Sequence, residues 1–329
     1  MAALLAVSNL TTAFRSEGVW RPVVTDVSFD IGARETLAIV GESGSGKSVT
    51  ALSIMRLIPT VNGRIAGRIA LEGRDLLAVA EEEMRAVRGN RIAMIFQEPM
   101  TSLNPVLTVG HQIAESVRIH KGASAQAARL RAREMLEMVK IPDAARRLDD
   151  FPHQFSGGMR QRVMIAMALA CDPKILVADE PTTALDVTIQ AQVLKLMLEL
   201  KAKTDAAIVL ITHDLGIVAE TCQRVVVMYA GRKVEEAPVA QLFARPAHPY
   251  TRGLIASIAR GKAGARARRL NEIPGMVPSL REPIPGCAFA ERCAFAFERC
   301  HRESPRLRDV AGEAGHRAAC LRLEQVLAS

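Results

Sequence analysis

The chain has 329 residues, 49% of them apolar, which is enough for a sizeable core in one large domain or two ordinary ones. No uninterrupted apolar stretch approaches the roughly 18–20 residues of a membrane-spanning helix, and the first residues lack the basic start and cleavage site of a secretory signal. The net charge is +8, but one Trp and two Tyr give no aromatic platform for stacking bases. These features predict a soluble, cytosolic protein that does not bind nucleic acid.

Short strand patterns alternate with turns from the start of the chain to about residue 98. A first strand at LTTAF precedes the β-rich runs VVTDVSFDI, ETLAIVG, GRIALEG and RIAMIFQ. Helical patterns such as AARLRAREMLEMV follow from about 100 to 165. From about 166 to 240 the runs KILVADE and AIVLITH are typical of buried parallel strands, and each precedes a helical stretch. The βαβ alternation predicts an α/β fold.

The composition changes after RPAHPY (245–250) towards Arg, Ala, Pro and Cys, which predicts a separate C-terminal extension. Its basic run RGKAGARARR (260–269) has the composition of a solvated linker. A patch that contacts anionic lipid or nucleic acid is the alternative.

The stretch GESGSGKS at 41–48 fits G-x-x-x-x-G-K-[ST] between the strand pattern TLAIV and a helical pattern. Glycines let the backbone N–H groups turn towards phosphate oxygens, and the helix adds its positive N-terminal end. Lys47 would neutralise the β- and γ-phosphates, and Ser48 would ligate Mg²⁺. The predicted nucleotide-binding residues are Gly41, Glu42, Ser43, Gly44, Ser45, Gly46, Lys47, Ser48 and Val49.

Polar residues at the ends of three other strands predict the catalytic residues. Asp179 ends KILVADE, where it can reach Mg²⁺ through water, and Glu180 follows it, placed to orient or deprotonate the attacking water. Gln97 in IFQEP either reaches the metal or the water, or is a solvated loop residue. His213 in LITHD either contacts the γ-phosphate or caps the next helix.

A second glycine-rich stretch, FSGGMRQR at 155–162, has no lysine in P-loop register and no strand before it. Ser156 stands in the N-cap position of the predicted helix MRQRVMIAMALA. A helix N-terminus with exposed N–H groups is an anion site. An ordinary N-cap with glycines is the better explanation when the stretch is taken alone.

The P-loop, IFQEP, SGGMRQR, LVADEPTTALD and LITHD, in this order and spacing, resemble the ATP-binding subunit of an ABC transporter over about residues 1–255. The resemblance implies a P-loop ATPase core with an inserted helical subdomain at about 98–165, to which Gln97 links Mg²⁺. It also implies that two such domains pair head to tail. The residues that would then contact the γ-phosphate on the partner's P-loop are Ser156, Gly157, Gly158 and Met159.

The same resemblance assigns further roles. Asp186 in TTALD matches the loop that couples the two ATP sites, and Phe14 matches the aromatic residue that stacks on adenine, with Trp20 as a nearby rival. The sequence departs from the family pattern at two positions. Met159 stands where the family usually has Gln, and Val49 stands where Ser or Thr is commoner.

Four of the six cysteines lie in the extension with the spacing C-x5-C-x6-C-x19-C. Four thiolates can hold an iron–sulfur cluster or zinc, although the wide spacings do not fit the short C-x2-C pairs of zinc sites. The absence of any metal is the third alternative, and disulfides are not expected in a cytosolic protein. His301 and His316 are either substitute ligands or surface or capping residues, and Cys171 and Cys222 are predicted to be buried. The four clustered residues are Cys287, Cys293, Cys300 and Cys320.

The segments PTTALDVTIQAQVL and RPAHPYT and the cysteine-bearing tail resemble ATPase subunits of oligopeptide, dipeptide and nickel importers. This resemblance implies an ATPase domain (1–255) and an importer-type extension (256–329) with a [4Fe–4S] cluster on the four cysteines. It implies ATP and Mg²⁺ as ligands. The implied partners are a second ATPase subunit, either a homologue or an identical chain, two integral-membrane permease subunits and an extracytoplasmic solute-binding protein. The chain would lie peripherally on the cytoplasmic face of the membrane.

The favoured interpretation is an ATPase that drives uptake of di- or oligopeptides, with nickel, glutathione or another small solute as alternative cargo. ATP binding would close the head-to-tail dimer and hydrolysis would reopen it. A soluble ABC protein of translation or DNA repair is the more distant alternative, because such proteins usually carry tandem ATPase domains or a long coiled-coil insertion and the sequence shows neither. A P-loop kinase or GTPase gives no reason for SGGMRQR, and the guanine-recognition motif N-K-x-D is absent.

Overall fold

The computed structural model describes residues 3–97, 102–181, 187–259, 273–280 and 282–329. The chain divides into two compact units, each built from several segments. The first unit comprises residues 1–2, 31–35 and 78–211, and the second comprises residues 3–30, 36–77 and 212–329. No helix within the described ranges is long and apolar enough to cross a membrane. The basic run 260–269 lies outside the described residues.

The second unit contains two groups of strands. An antiparallel sheet with the order β2-β1-β4-β5 consists of β1 Leu5–Ser16, β2 Val19–Ile31, β4 Gly63–Leu71 and β5 Arg74–Asp75. The other group has the order β11-β12-β10-β9-β3 and consists of β3 Thr36–Val40, β9 Arg224–Tyr229, β10 Arg232–Pro238, β11 Arg308–Asp309 and β12 Arg317–Ala318. Here β3 and β9 are parallel, and the neighbouring pairs β9–β10, β10–β12 and β12–β11 are antiparallel.

The helices of the second unit follow its strands in the chain. They are Lys47–Ile54, Leu215–Thr221, Val239–Ala244, Pro249–Ala259, Glu298–Arg302 and Leu323–Ala328, with a 3₁₀ turn at Ala290–Arg292. The last three of these elements, together with β11 and β12, belong to the cysteine-bearing extension.

The first unit supplies three parallel strands in the order β8-β7-β6, formed by β6 Ile92–Ile95, β7 Ile175–Asp179 and β8 Ala207–Thr212. Its helices are Glu81–Val87, Val109–Lys121, Ala125–Met138, Ala144–Arg147, Gly157–Leu169 and Val187–Thr204, with a 3₁₀ turn at Pro152–Gln154. Most of these helices fall within the segment for which the sequence predicts helices.

The strands β3, β7 and β8 are buried at every residue. Continuous apolar burial of this kind is characteristic of parallel strands that are covered on both faces. In contrast, β4 exposes Arg64, Ala66, Gly67 and Arg68 and buries its last three residues. The predicted α/β fold and the predicted strands are therefore confirmed. The boundary between residues 255 and 256 stays a prediction.

A buried carboxylate joins the extension to β10. Glu235, which is fully buried, accepts hydrogen bonds from the backbone N–H groups of Ala247 and His248 at 2.7 and 2.9 Å. His316 of the extension lies 2.7 Å from Glu235 through Nε2 and 2.6 Å from Glu313 through Nδ1. The expectation that His316 is a surface or capping residue is wrong, because its side chain is completely buried between these two carboxylates.

The remaining cysteine and histidine predictions have clear outcomes. Cys171 and Cys222 are buried free cysteines, as predicted. His301 is exposed and lies 3.3 Å from the carboxylate of Glu291, which confirms its surface position.

Candidate functional site

The glycines of loop 41–48 adopt backbone conformations that other residues avoid. Gly41, Gly44 and Gly46 have φ angles of +155°, +78° and +95°. A Cβ on Gly41 would lie 2.2 Å from the carbonyl oxygen of Met228, which is far inside contact distance. The loop therefore needs glycine for its own curvature, as the phosphate-binding motif requires.

The positions of Lys47 and Ser45 in this loop indicate an anion-binding site. The Lys47 side chain is buried and its Nζ donates to the carbonyl oxygens of Gly41 and Glu42 at 2.8 and 3.0 Å, so the ammonium lies over the loop. The Ser45 hydroxyl is buried and has no hydrogen-bond partner among the described residues. Helix Lys47–Ile54 begins after Gly46 without a side-chain cap, so its first N–H groups face the loop. Phosphate oxygens suit this arrangement.

Two predicted catalytic side chains meet in the first unit. The amide Nε2 of Gln97 donates to Oε2 of Glu180 at 3.0 Å, which leaves the amide oxygen of Gln97 as the atom able to ligate a cation. Glu180 has a φ of +44°, an unusual conformation for a residue other than glycine. Its N–H donates to the carbonyl of Ile211 at 3.0 Å, which ties it to β8. Gln97 itself is exposed, so its role at the metal or the water stays a prediction.

Asp179 is buried at the end of β7, immediately before Glu180. Asp179, Gln97 and Ser48 each carry a side-chain oxygen, the kind of ligand that Mg²⁺ prefers, and all three stay predicted ligands. His213 is exposed, and the cap of helix Leu215–Thr221 is its neighbour Asp214, which accepts from two N–H groups of that helix at 2.8 and 3.2 Å. Of the two roles predicted for His213, capping is therefore excluded.

The second glycine-rich stretch begins a helix as predicted. Ser156 caps helix Gly157–Leu169, and its Oγ accepts from the N–H of Met159 at 3.4 Å. Ser156 and Gly157 are exposed, and a Cβ on Gly157 would meet nothing within 4 Å. The chain itself thus has no steric need for glycine at 157. Asp186 lies outside the described residues.

The two candidates for adenine stacking lie in the same unit as the P-loop. Phe14 is half-buried in β1, and Trp20 is half-buried in β2. The guanidinium carbon of Arg64 lies 4.7 Å from the centre of the Trp20 ring and covers one face of it. Phe14 stays the predicted stacking residue, with Trp20 as its rival.

Two residues distant in sequence contact the P-loop, Arg292 of the extension and Tyr250, which precedes it, and neither was predicted from the sequence. Arg292 forms two hydrogen bonds to the carboxylate of Glu42, and the hydroxyl of Tyr250 accepts from the N–H of Glu42 at 2.8 Å. The pairing with Glu42 raises the pKa of Arg292, and burial raises the pKa of Tyr250. The available signal was Glu42 itself, because a carboxylate inside a phosphate-binding loop needs a cationic partner.

The four cysteines of the extension line one cavity of about 20 Å³, together with Phe289 and Phe295. Burial raises the pKa of Cys287 to about 11, and it also raises those of Cys293 and Cys320. These three side chains are therefore neutral thiols at neutral pH. Within the described ranges, no three His, Cys, Asp or Glu side chains are arranged to hold a metal ion.

Comparisons with known proteins agree with this geometry. Residues 24–183 match the model of the family described as ABC transporter, and residues 234–300 match the oligopeptide/dipeptide transporter C-terminal region. A probable peptide ABC transporter ATP-binding protein of Sinorhizobium fredii, y4tR, is 57% identical over 98% of this chain and 96% of its own. A Brucella melitensis protein designated as a peptide import ATP-binding protein is 53% identical over 99% and 98%.

Solved structures give the same result for the fold. The ATP-binding cassette MJ0796, as a dimer with ADP and Pi, has a TM-score of 0.64 at 28% identity, covering 71% of this chain and 98% of its own. The cassette cbiO1 of Clostridium perfringens, part of a transporter complex, has a TM-score of 0.62 at 25% identity, covering 74% and 92%.

Proposed function

Because the chain belongs to the ABC transporter family, we propose that it is the ATP-binding subunit of an importer whose ATP hydrolysis drives uptake of di- or oligopeptides. The match of residues 234–300 to the peptide-transporter C-terminal region supports this cargo, as do the names of relatives that are 51–57% identical. The transport path belongs to separate permease subunits. The subunit would lie peripherally on the cytoplasmic face of the membrane, and an extracytoplasmic binding protein would deliver the peptide.

The chemistry follows from the residues at the two loops and at the strand ends. The N–H groups of loop 41–48 and Lys47 bind the β- and γ-phosphates of ATP. Glu180, held by Gln97, orients the attacking water and accepts its proton. Mg²⁺, for which Ser48, Gln97 and Asp179 offer oxygen ligands, would neutralise charge on the phosphates. His213 is the proposed γ-phosphate contact.

We propose that two ATPase subunits pair head to tail and that each completes the other's site. The observation that carries this proposal is Gly157, an exposed glycine at a helix N-terminus whose missing side chain leaves open space in its own chain. The N–H groups beside it form an anion site that no phosphate of its own chain occupies in the proposed mechanism. ATP bound between the P-loop of one subunit and the helix N-terminus of the other favours the closed dimer, since only in that state do both surfaces contact its phosphates. The partner is a homologous subunit or a second copy.

The test of this mechanism is Glu180→Gln, which keeps the shape of the side chain but removes the base. We expect ATP hydrolysis to fall by about 10²-fold or more, the usual contribution of a general base, while ATP binding is retained. Light scattering with ATP and Mg²⁺ should then show a dimer of this variant. Lys47→Ala is the matched control, because it should abolish both binding and dimer formation.

The possible outcomes distinguish between partners. An ATP-bound monomer would show that the second ATPase is a different chain, and the measurement is then repeated with that subunit. Failure of the wild-type chain to bind ATP would overturn the proposal. The cargo is tested by uptake of a labelled tripeptide in cells that carry wild type or Lys47→Ala, with nickel and glutathione as the competing solutes.

We further propose that the four cysteines hold a [4Fe–4S] cluster as a structural element. Four thiols around one apolar cavity form the complete ligand set of such a cluster. Zinc is the weaker alternative, because the wide cysteine spacings do not fit the short C-x2-C pairs of zinc sites. The cavity has little more than the volume of one water molecule, so the surrounding loops must separate to admit a cluster. Iron and sulfide content after anaerobic purification, with Cys300→Ser as control, tests this; zinc without iron would overturn it.

A further inference from the structure

Arg292 of the extension uses all five of its N–H groups. Two nitrogens donate to the carboxylate of Glu42 at 2.6 and 3.0 Å. The other bonds reach the Tyr229 hydroxyl at 3.1 Å and the carbonyl oxygens of Ile273 and Pro274, both at 2.9 Å. The side chain is only 5% exposed. A planar cation with every donor satisfied has one orientation, so this contact is a built part of the fold.

Glu42 is held from three sides inside the P-loop. Its carboxylate pairs with Arg292, its N–H donates to Tyr250 and its carbonyl accepts from Lys47. Tyr250 is itself fixed, because it packs against Tyr229 with a ring separation of 4.7 Å. The extension therefore fixes the carboxylate of Glu42, while Tyr250 and Lys47 fix its backbone.

The charge of Glu42 makes this contact relevant to ATP. A carboxylate in a loop that receives phosphates repels them unless a cation neutralises it. Arg292 supplies that cation and holds it in a bidentate geometry, which lysine cannot reproduce. Loss of Arg292 would leave a half-buried, uncompensated negative charge in the binding loop.

We propose that Arg292 is a positioning residue for ATP binding, which neutralises and fixes Glu42 so that the P-loop accepts the phosphates. The C-terminal extension is then part of the nucleotide site. The inference rests on the proposed role of loop 41–48 in binding ATP. It assigns the extension a function that its cysteine content does not indicate.

The first experiment measures binding of mant-ATP with Mg²⁺ to the full-length chain. Arg292→Ala should weaken binding by about tenfold or more, equivalent to about 1.4 kcal/mol. The KM for ATP should rise in parallel, with little change in kcat, because the loss acts on binding. Arg299→Ala is the matched control. It removes the same charge from the same extension, but Arg299 is 63% exposed and pairs with Glu303, so affinity should not change.

The second experiment distinguishes a charge effect from loss of packing. In Arg292→Ala/Glu42→Gln the negative charge is gone, so we expect most of the affinity to return. An unrescued double variant would overturn the proposal, because packing alone would then explain the loss. Unchanged affinity in Arg292→Ala would overturn it as well.

One further variant and the wild-type control keep the test decisive. If Arg292→Ala fails to fold, Arg292→Lys retains the charge but loses the bidentate bond, and we expect an intermediate loss of affinity. Wild-type affinity in Arg292→Lys would contradict a role for the bidentate contact. If the wild-type chain itself fails to bind mant-ATP, the proposed function fails before this inference is reached.

Discussion

The two glycine-rich loops differ in what determines their conformation. In loop 41–48 the chain itself demands glycine, since a Cβ on Gly41 would lie 2.2 Å from the carbonyl of Met228. In the stretch around Gly157 the chain makes no such demand, because the same atom would meet nothing within 4 Å. The comparison teaches that the first loop is shaped by its own unit, whereas the glycine at 157 has no such cause among the described residues of its own chain and is assigned to the partner contact only by the proposed head-to-tail dimer.

The two loops also differ in the contacts that hold them in place. The P-loop is held by Arg292 and Tyr250, and the extension that carries Arg292 is joined to β10 through His316 and Glu235. Helix Gly157–Leu169, at the second glycine-rich stretch, begins with one local cap, Ser156. Substitutions in the first region should therefore affect folding and binding together, whereas those in the second should affect assembly alone.

The largest effect is expected for Gly41→Ala. The added methyl group collides with the backbone of β9, so we expect a loss of about 4 kcal/mol or more in the free energy of unfolding. Binding of mant-ATP should fall as well. Gly44→Ala is the control in the same loop, because its φ is +78° but its Cβ position is open. It should cost only about 1–2 kcal/mol. Equal losses of unfolding free energy for the two variants, measured by denaturant titration, would show that the contact with Met228 does not determine the need for glycine at 41.

His316→Gln should have the next largest effect, and it should depend on pH. Burial lowers the pKa of His316, but its hydrogen bonds with Glu235 and Glu313 outweigh burial and raise it above 6.5. Protonated His316 therefore stabilises the fold fully below pH 6.5, and this contribution is lost as the pH rises through the raised pKa. The hydrogen bond with His316 also lowers the pKa of Glu313 below 4.5, so its contribution is lost on acidification.

The variant should lose about 3 kcal/mol of unfolding free energy near pH 5.5, since it leaves a buried carboxylate without its charged partner. The difference from wild type should shrink towards pH 9. Arg245, which lies 3.2 Å from Glu313, is the other charge near this group, and Arg245→Gln serves as the control. A loss independent of pH would show that His316 acts through packing alone.

Gly157→Ala should have the smallest effect on folding and a clear effect on assembly. The methyl group enters open space in the isolated chain, so the melting temperature and the affinity for mant-ATP should not change. In the Glu180→Gln background, the ATP-dependent dimer should weaken by about tenfold or more. An unchanged dimer in light scattering would show that no partner approaches this glycine, and the two loops would then not differ as described.

Much of the candidate site could be predicted from the sequence. The P-loop, the acidic end of β7 and the N-cap at Ser156 are encoded by residue spacing within a few positions, so local pattern and chemistry identify them. Gln97 and Glu180 were both found because each follows a buried strand, although their 3.0 Å contact spans 83 positions of the chain. The surface or capping role of His316 was predicted wrongly, since nothing near it in sequence indicates its second carboxylate partner, Glu235, which lies 81 positions away.

The sequence by itself determined the family and the α/β core and predicted the residues that would contact ATP, because these depend on motifs whose spacing is fixed by strand and helix geometry. Only the tertiary structure decided how the extension is used. Arg292 and Glu42 are 250 positions apart and His316 and Glu235 are 81 apart. Such ion pairs have no characteristic spacing, because the chain between the partners can follow any path. Their identity therefore emerges only when folding buries the charges and each must find an opposite one.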